Sequence, residues 1–103
     1  MNKSYKVSTD FGNYTVQIRK AQYWDNKNLA IELFDPEEGP FARLTVNLGK
    51  KLPDNQAYVD VNNCPWAERF IEENGLGEHQ DKFGISGYCV YPLYKFDMDK
   101  LRA

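Results

Sequence analysis

One stretch, Val59 to Leu76, carries the strongest local signal in the chain, and nearly everything on either side of it reads as strand and turn. Its order Val-Asp-Val-Asn-Asn-Cys-Pro-Trp-Ala-Glu-Arg-Phe-Ile-Glu-Glu-Asn-Gly-Leu spells a strand end, a capped helix start, a short helix and a glycine stop. Asn63 or Cys64 is expected as the N-cap, with Pro65 in the first turn, where a missing N–H costs nothing. Trp66, Ala67, Phe70 and Ile71 share one stripe, while Glu68, Arg69, Glu72 and Glu73 face away. Gly75 stands where a left-handed C′ residue is wanted, and Leu76 can fold back on Ile71. A helix over residues 65–74 is too short to hold in water alone, so its apolar stripe has to pack on a sheet.

The sheet is read from period-two alternation. Tyr5 and Val7 open it, and Asp10 to Asn13 supply a turn. Tyr14, Val16 and Ile18 alternate with Thr15, Gln17 and Arg19, then Leu29, Ile31 and Leu33 with Ala30 and Glu32. Asp35 to Pro40 breaks the ladder, and Ala42, Leu44, Val46 and Leu48 form the fourth strand. Residues 57–61 lead into the helix, 77–87 read as a polar, glycine-punctuated loop, and 88–96 form the last strand. Pro92 cannot donate to a ladder, so that strand is expected at an edge or with a bulge. The expected fold is α+β: one antiparallel sheet, a meander of about five or six strands, with the helix on one face. At 103 residues it is a single domain, 1–103.

Charge limits the partners. A net charge of −2 and a pI near 5.3 disfavour a general nucleic-acid binder. Residues 1–51 carry eight basic and six acidic side chains, and the remainder five and nine, a mild asymmetry that ordinary solvated surfaces explain. No apolar leader segment stands at Met1 to Asp10, and no run is long enough for a membrane span, so no membrane partner is expected. Two cysteines without a leader are read as reduced thiols of a cytoplasmic protein.

Cys64 is the candidate for reactivity, because a helix start favours the thiolate, and His79 is the only histidine that could serve as its base. The competing reading, a small buried cysteine at the helix entrance, carries more weight. Cys64, Cys89 and His79 lack the paired spacing of a zinc site, and Asp35, Glu37 and Glu38 lack that of a calcium loop. No metal and no cofactor are expected. Phosphate-loop, nucleophile-elbow and metalloprotease patterns are absent, so nothing specifies an enzyme.

Aromatic residues are more abundant than one small core needs. Tyr88, Tyr91, Tyr94 and Phe96 lie along the last strand, with Tyr23 and Trp24 at a turn. Tyrosines on an accessible strand suit protein recognition, although many such rings roof a core. The leading expectation is a non-catalytic protein-interaction module, with Asn62, Asn63, Cys64, Trp66, Tyr88, Tyr91 and Tyr94 as binding candidates. A second reading is a small-ligand binder or enzyme, its pocket between the helix start and the last strand and lined by Cys64 and Tyr88. A third is a nucleic-acid binder or mimic, which requires a patch of one sign.

Three segments carry a resemblance: Asp60-Val61-Asn62-Asn63-Cys64-Pro65-Trp66-Ala67-Glu68, Glu73-Asn74-Gly75-Leu76-Gly77 and Ser86 to Phe96 with its Tyr-Pro-Leu-Tyr. Together with Phe41 to Leu48 they resemble a family of uncharacterised small proteins from Firmicutes, often borne on conjugative elements and prophages. The resemblance implies a mobile genetic element as the setting and a host or element protein as the partner. It supplies no activity and no catalytic residues.

Overall fold

The computed structural model describes residues 3–101. In order, the elements are β1 (Tyr5–Thr9), β2 (Gly12–Gln22), β3 (Leu29–Asp35), β4 (Gly39–Arg43), β5 (Thr45–Val46), β6 (Gln56–Val59), α1 (Ala67–Glu73), β7 (Gly77–Ser86) and β8 (Cys89–Phe96). All pairings are antiparallel, and they make two four-stranded sheets, ordered β1-β2-β3-β4 and β5-β6-β8-β7. The α+β class and the antiparallel meander of the first sheet agree with the sequence. The expectation of one sheet of five or six strands does not.

The reason lies at Leu44, in the middle of what reads as one fourth strand. Leu44 donates its N–H to the Ile31 carbonyl (2.9 Å), and its own carbonyl accepts from Asp60 N–H (2.9 Å). It therefore stands between β3 and the end of β6, where β4 leaves one sheet and β5 enters the other. The Thr45 hydroxyl oxygen accepts the Ile31 N–H at 3.2 Å, and the Tyr23 hydroxyl lies 3.1 Å from it, so the bend leaves no buried polar group open. Alternation runs unbroken through Ala42, Leu44 and Val46, so the change of sheet has no sequence mark.

A second correction concerns residues 77–87. All but Gly87 are a strand, β7, which forms a hairpin with β8 whose register shifts between His79 and Phe83. This places β8 inside its sheet instead of at an edge. Pro92 is tolerated because β6 pairs no farther along β8 than Leu93, leaving Pro92 beyond its end, and because the irregularity in β7 ends at Phe83, opposite Pro92.

The main core gathers Val7, Val16, Ile31, Leu33 and Leu44 from the first half with Val59, Tyr94 and Phe96 from the second. Ala67, Phe70 and Ile71 of α1 close it, and the helix packs against both β1 and β7. A second cluster, Leu52, Tyr58, Tyr91 and Leu93, covers the other face of the second sheet beneath Val46, Leu48 and Cys89. Asn28, itself buried, holds that cover in place. Its side-chain NH₂ donates to the Lys50 carbonyl (2.7 Å), and its side-chain oxygen accepts Leu52 N–H (2.9 Å).

The helix starts at Ala67, two residues later than the proline suggests, and its N-cap is Trp66, with no side-chain cap. The preceding turn is organised by Asp60. Its carboxylate accepts the Asn63 backbone N–H (3.2 Å) and side-chain NH₂ (2.9 Å), and its carbonyl accepts Cys64 N–H (2.8 Å). The far end behaves as read. Gly75 adopts φ 62°, Leu76 N–H reaches the Ile71 carbonyl (2.9 Å), and Gly75 N–H reaches that of Glu72 (3.2 Å), a Schellman closure.

Candidate functional site

Cys64 does not stand ready as a nucleophile. Its side chain is buried in the main core, and its thiol donates to the Arg43 carbonyl at 3.8 Å. Burial, reinforced by the Asp60 carboxylate, pushes its pKa up from 9.0 to about 11, the opposite of what an activated thiol needs. Its neighbours in sequence point elsewhere. Asn62 is exposed in the turn, Asn63 is tied to Asp60, and Trp66 lies half-buried at the start of α1.

Asn63 and Trp66 line a cleft of about 470 Å³. Its other walls come from Thr9, Asp10, Phe11 and Tyr14 of the β1–β2 hairpin, Phe41 of β4, and Pro65 and Arg69. The cleft at the helix start therefore opens toward the first sheet, and neither Cys64 nor Tyr88 lines it. Rings run along it in sequence. Tyr14 and Phe41 have centroids 5.1 Å apart, Phe41 and Trp66 5.8 Å, and Trp66 meets Phe70 edge-on at 6.0 Å. Arg69 fixes one wall by donating to the Ser8 carbonyl at 2.9 Å.

The aromatic strand divides three ways. Tyr94 is sealed in the main core, Tyr91 in the second cluster, and Tyr88 sits fully exposed in the β7–β8 turn. Around Tyr88 the hairpin carries Phe83 (58% exposed), Ile85 (73%) and Val90 (51%). Ile85 pairs with Val90 and Phe83 with Pro92, so these apolar side chains share one face of the two strands. β7 is also the last strand of its sheet, which leaves one backbone edge unpaired within the sheet.

Farther along that face, His79 packs against Phe83 (5.3 Å) and Tyr94 (5.2 Å). Asp81 N–H donates to His79 Nδ1 at 2.8 Å, so the neutral ring carries its proton on Nε2, 3.8 Å from Glu68 Oε1. The Tyr94 hydroxyl donates to the same oxygen at 3.2 Å. Burial raises the Tyr94 pKa above the usual phenol range, and the Glu68 and Glu72 carboxylates add to it. This trio fastens α1 to the second sheet. Among the described residues no group of three or more His, Cys, Asp and Glu side chains could hold a metal ion.

A family model described as a domain of unknown function, DUF4313, matches residues 15–103. The chain belongs to that family. No curated protein and no solved structure matches the chain. The family match takes in the whole β7–β8 hairpin and the Asn62 to Trp66 turn, but begins after Tyr14, so one wall of the cleft lies outside it. No helix among the described residues is long and apolar enough to cross a membrane.

Phe11, Phe41, Phe83, Ile85 and Val90 are site residues that sequence reasoning passed over. A signal existed for Phe11: an aromatic ring between Asp10 and Gly12 at a turn tip has no core to enter. Phe83 and Ile85 alternate with Gly84 and Ser86, a four-residue strand pattern hidden in a polar segment.

Proposed function

We propose that this chain is a non-catalytic protein-binding module whose contact surface is the distal half of the β7–β8 hairpin. The observation that carries the reading is the exposure of Phe83, Ile85, Tyr88 and Val90 together on one hairpin. Scattered apolar side chains are ordinary on a protein surface, but a set gathered on one hairpin marks a contact surface. The unpaired edge of β7 adds a second means of attachment, since an incoming extended segment can continue the sheet while its side chains meet Phe83 and Ile85. Tyr88 supplies a large, stiff ring, the residue type most often found at binding hot spots. Tyr91 and Tyr94 take no part, because they hold the two cores together. In the setting that the resemblance implies, the partner is a host or element protein met in the cytoplasm.

A photoreactive phenylalanine analogue placed at Tyr88 tests the reading in cells of the native host. Crosslinks to a discrete protein from position 88, and none from the same analogue at exposed Glu37, are the expected result. Crosslinks of equal yield from both positions, or from neither, overturn it.

A further inference from the structure

We propose that the aromatic cleft between the β1–β2 turn and the start of α1 binds a proline-rich peptide segment in the polyproline II conformation. The site is separate from the hairpin, so either surface can fail its test without the other.

Three observations converge. First, the cleft is an open furrow whose volume of about 470 Å³ suits a few residues of chain. Second, its floor is a row of partly exposed rings, Tyr14, Phe41 and Trp66, at centroid steps of 5.1 and 5.8 Å. Pyrrolidine rings pack on aromatic faces, and two centroid steps of 5.1 and 5.8 Å are of the order of one polyproline turn, about 9 Å. Third, donors along it are unspent. The Trp66 indole N–H and the Tyr14 hydroxyl have no partner among the described residues. Arg69 has spent one guanidinium N–H on Ser8 and faces no carboxylate within ion-pair distance among them.

Proline segments complement such a surface. Their carbonyls accept hydrogen bonds, their ring nitrogens donate none, and their stiffness lowers the entropy lost on docking. The charges select against a phosphate or nucleotide: Asp10 stands on the same cleft as Arg69 and offsets it, so the site has no net attraction for anions.

The test is a titration of the full chain with an oligoproline peptide, followed at the Trp66 indole N–H by nuclear magnetic resonance. Trp24, the other tryptophan and an exposed one, is replaced beforehand (Trp24→Phe) so that one indole signal remains. A saturable shift with oligoproline and none with a glycine-serine peptide of equal length is expected. Binding should weaken about tenfold in Tyr14→Ala, and by a smaller factor in Arg69→Gln, each measured well below that variant's own melting temperature. An absent or non-saturating shift up to millimolar peptide, an equal response to the glycine-serine peptide, or undiminished binding by Tyr14→Ala overturns the proposal.

Discussion

Gly84 lies directly against the ring of Tyr58: a Cβ at Gly84 would stand 2.8 Å from Tyr58 Cε1 and 2.5 Å from Leu48 Cδ1. The close approach lets the second cluster seal one face of the hairpin while the other face stays open. Gly84→Ala should therefore lower stability by about 1–3 kcal/mol, because the Tyr58 ring has to move out of a packed cluster. Chemical denaturation checks it. Combining Gly84→Ala with Leu48→Ala should cost less than the sum of the two, since removing Leu48 clears the nearer clash.

Asn28 is the second point on which that cluster depends. Asn28→Ala would leave the Leu52 N–H and the Lys50 carbonyl without their partner and free the loop over Tyr58 and Leu93. A loss of about 2–4 kcal/mol is expected from the exposed donor and acceptor together. Amide exchange should quicken at Leu52 and remain slow at Ile31.

At the helix entrance the stabilising group is Asp60. Asp60→Ala should cost about 1–2 kcal/mol, the usual value of a lost cap. Asn63→Ala should cost less, because the Asn63 backbone N–H keeps its bond to the carboxylate. Thermal melts of the two variants distinguish this from the reading in which Asn63 is itself the cap.

Cys64 gives a pH signature. Its folded-state pKa of about 11 lies above its ordinary 9.0, so the folded protein holds this proton more tightly than the unfolded chain. The stabilisation is complete below pH 9 and is lost as pH rises toward about 11, at up to about 1.4 kcal/mol per pH unit. Cys64→Ala should flatten that part of the stability curve. In the native protein at neutral pH, a thiol reagent should modify the half-buried Cys89 and reach Cys64 only on unfolding.

The parts of this molecule that sequence reveals are those set by local chemistry or by one-sided burial. Gly75 and Leu76 announce the helix stop because the left-handed residue and its apolar successor lie side by side. β2 and β3 show through Val16, Ile18, Ile31 and Leu33, whose alternation reports one buried face. β7 stayed hidden because it lies at a sheet edge with little burial. Glu78 pairs with Lys95, but Gln80, Asp81 and Lys82 fall where the register to β8 is interrupted, so no alternation of apolar residues marks that stretch. The turn at Leu44 was invisible because both of its sides need apolar residues in the same phase. The cleft escaped for a different reason. Phe11, Phe41 and Trp66 come from three separate segments, and only the fold brings them together.

The account rests on the exposed face of the β7–β8 hairpin, and Ile85→Lys addresses it most directly. Ile85 is 73% exposed and a member of neither core, so a lysine there should leave the melting temperature nearly unchanged while placing a charge in the contact surface. Quantitative affinity capture from the native host would compare the unmodified chain, Ile85→Lys and the control Glu37→Lys. The account predicts a protein retained by the unmodified chain and by Glu37→Lys and reduced about tenfold or more by Ile85→Lys. Equal retention by all three would contradict it.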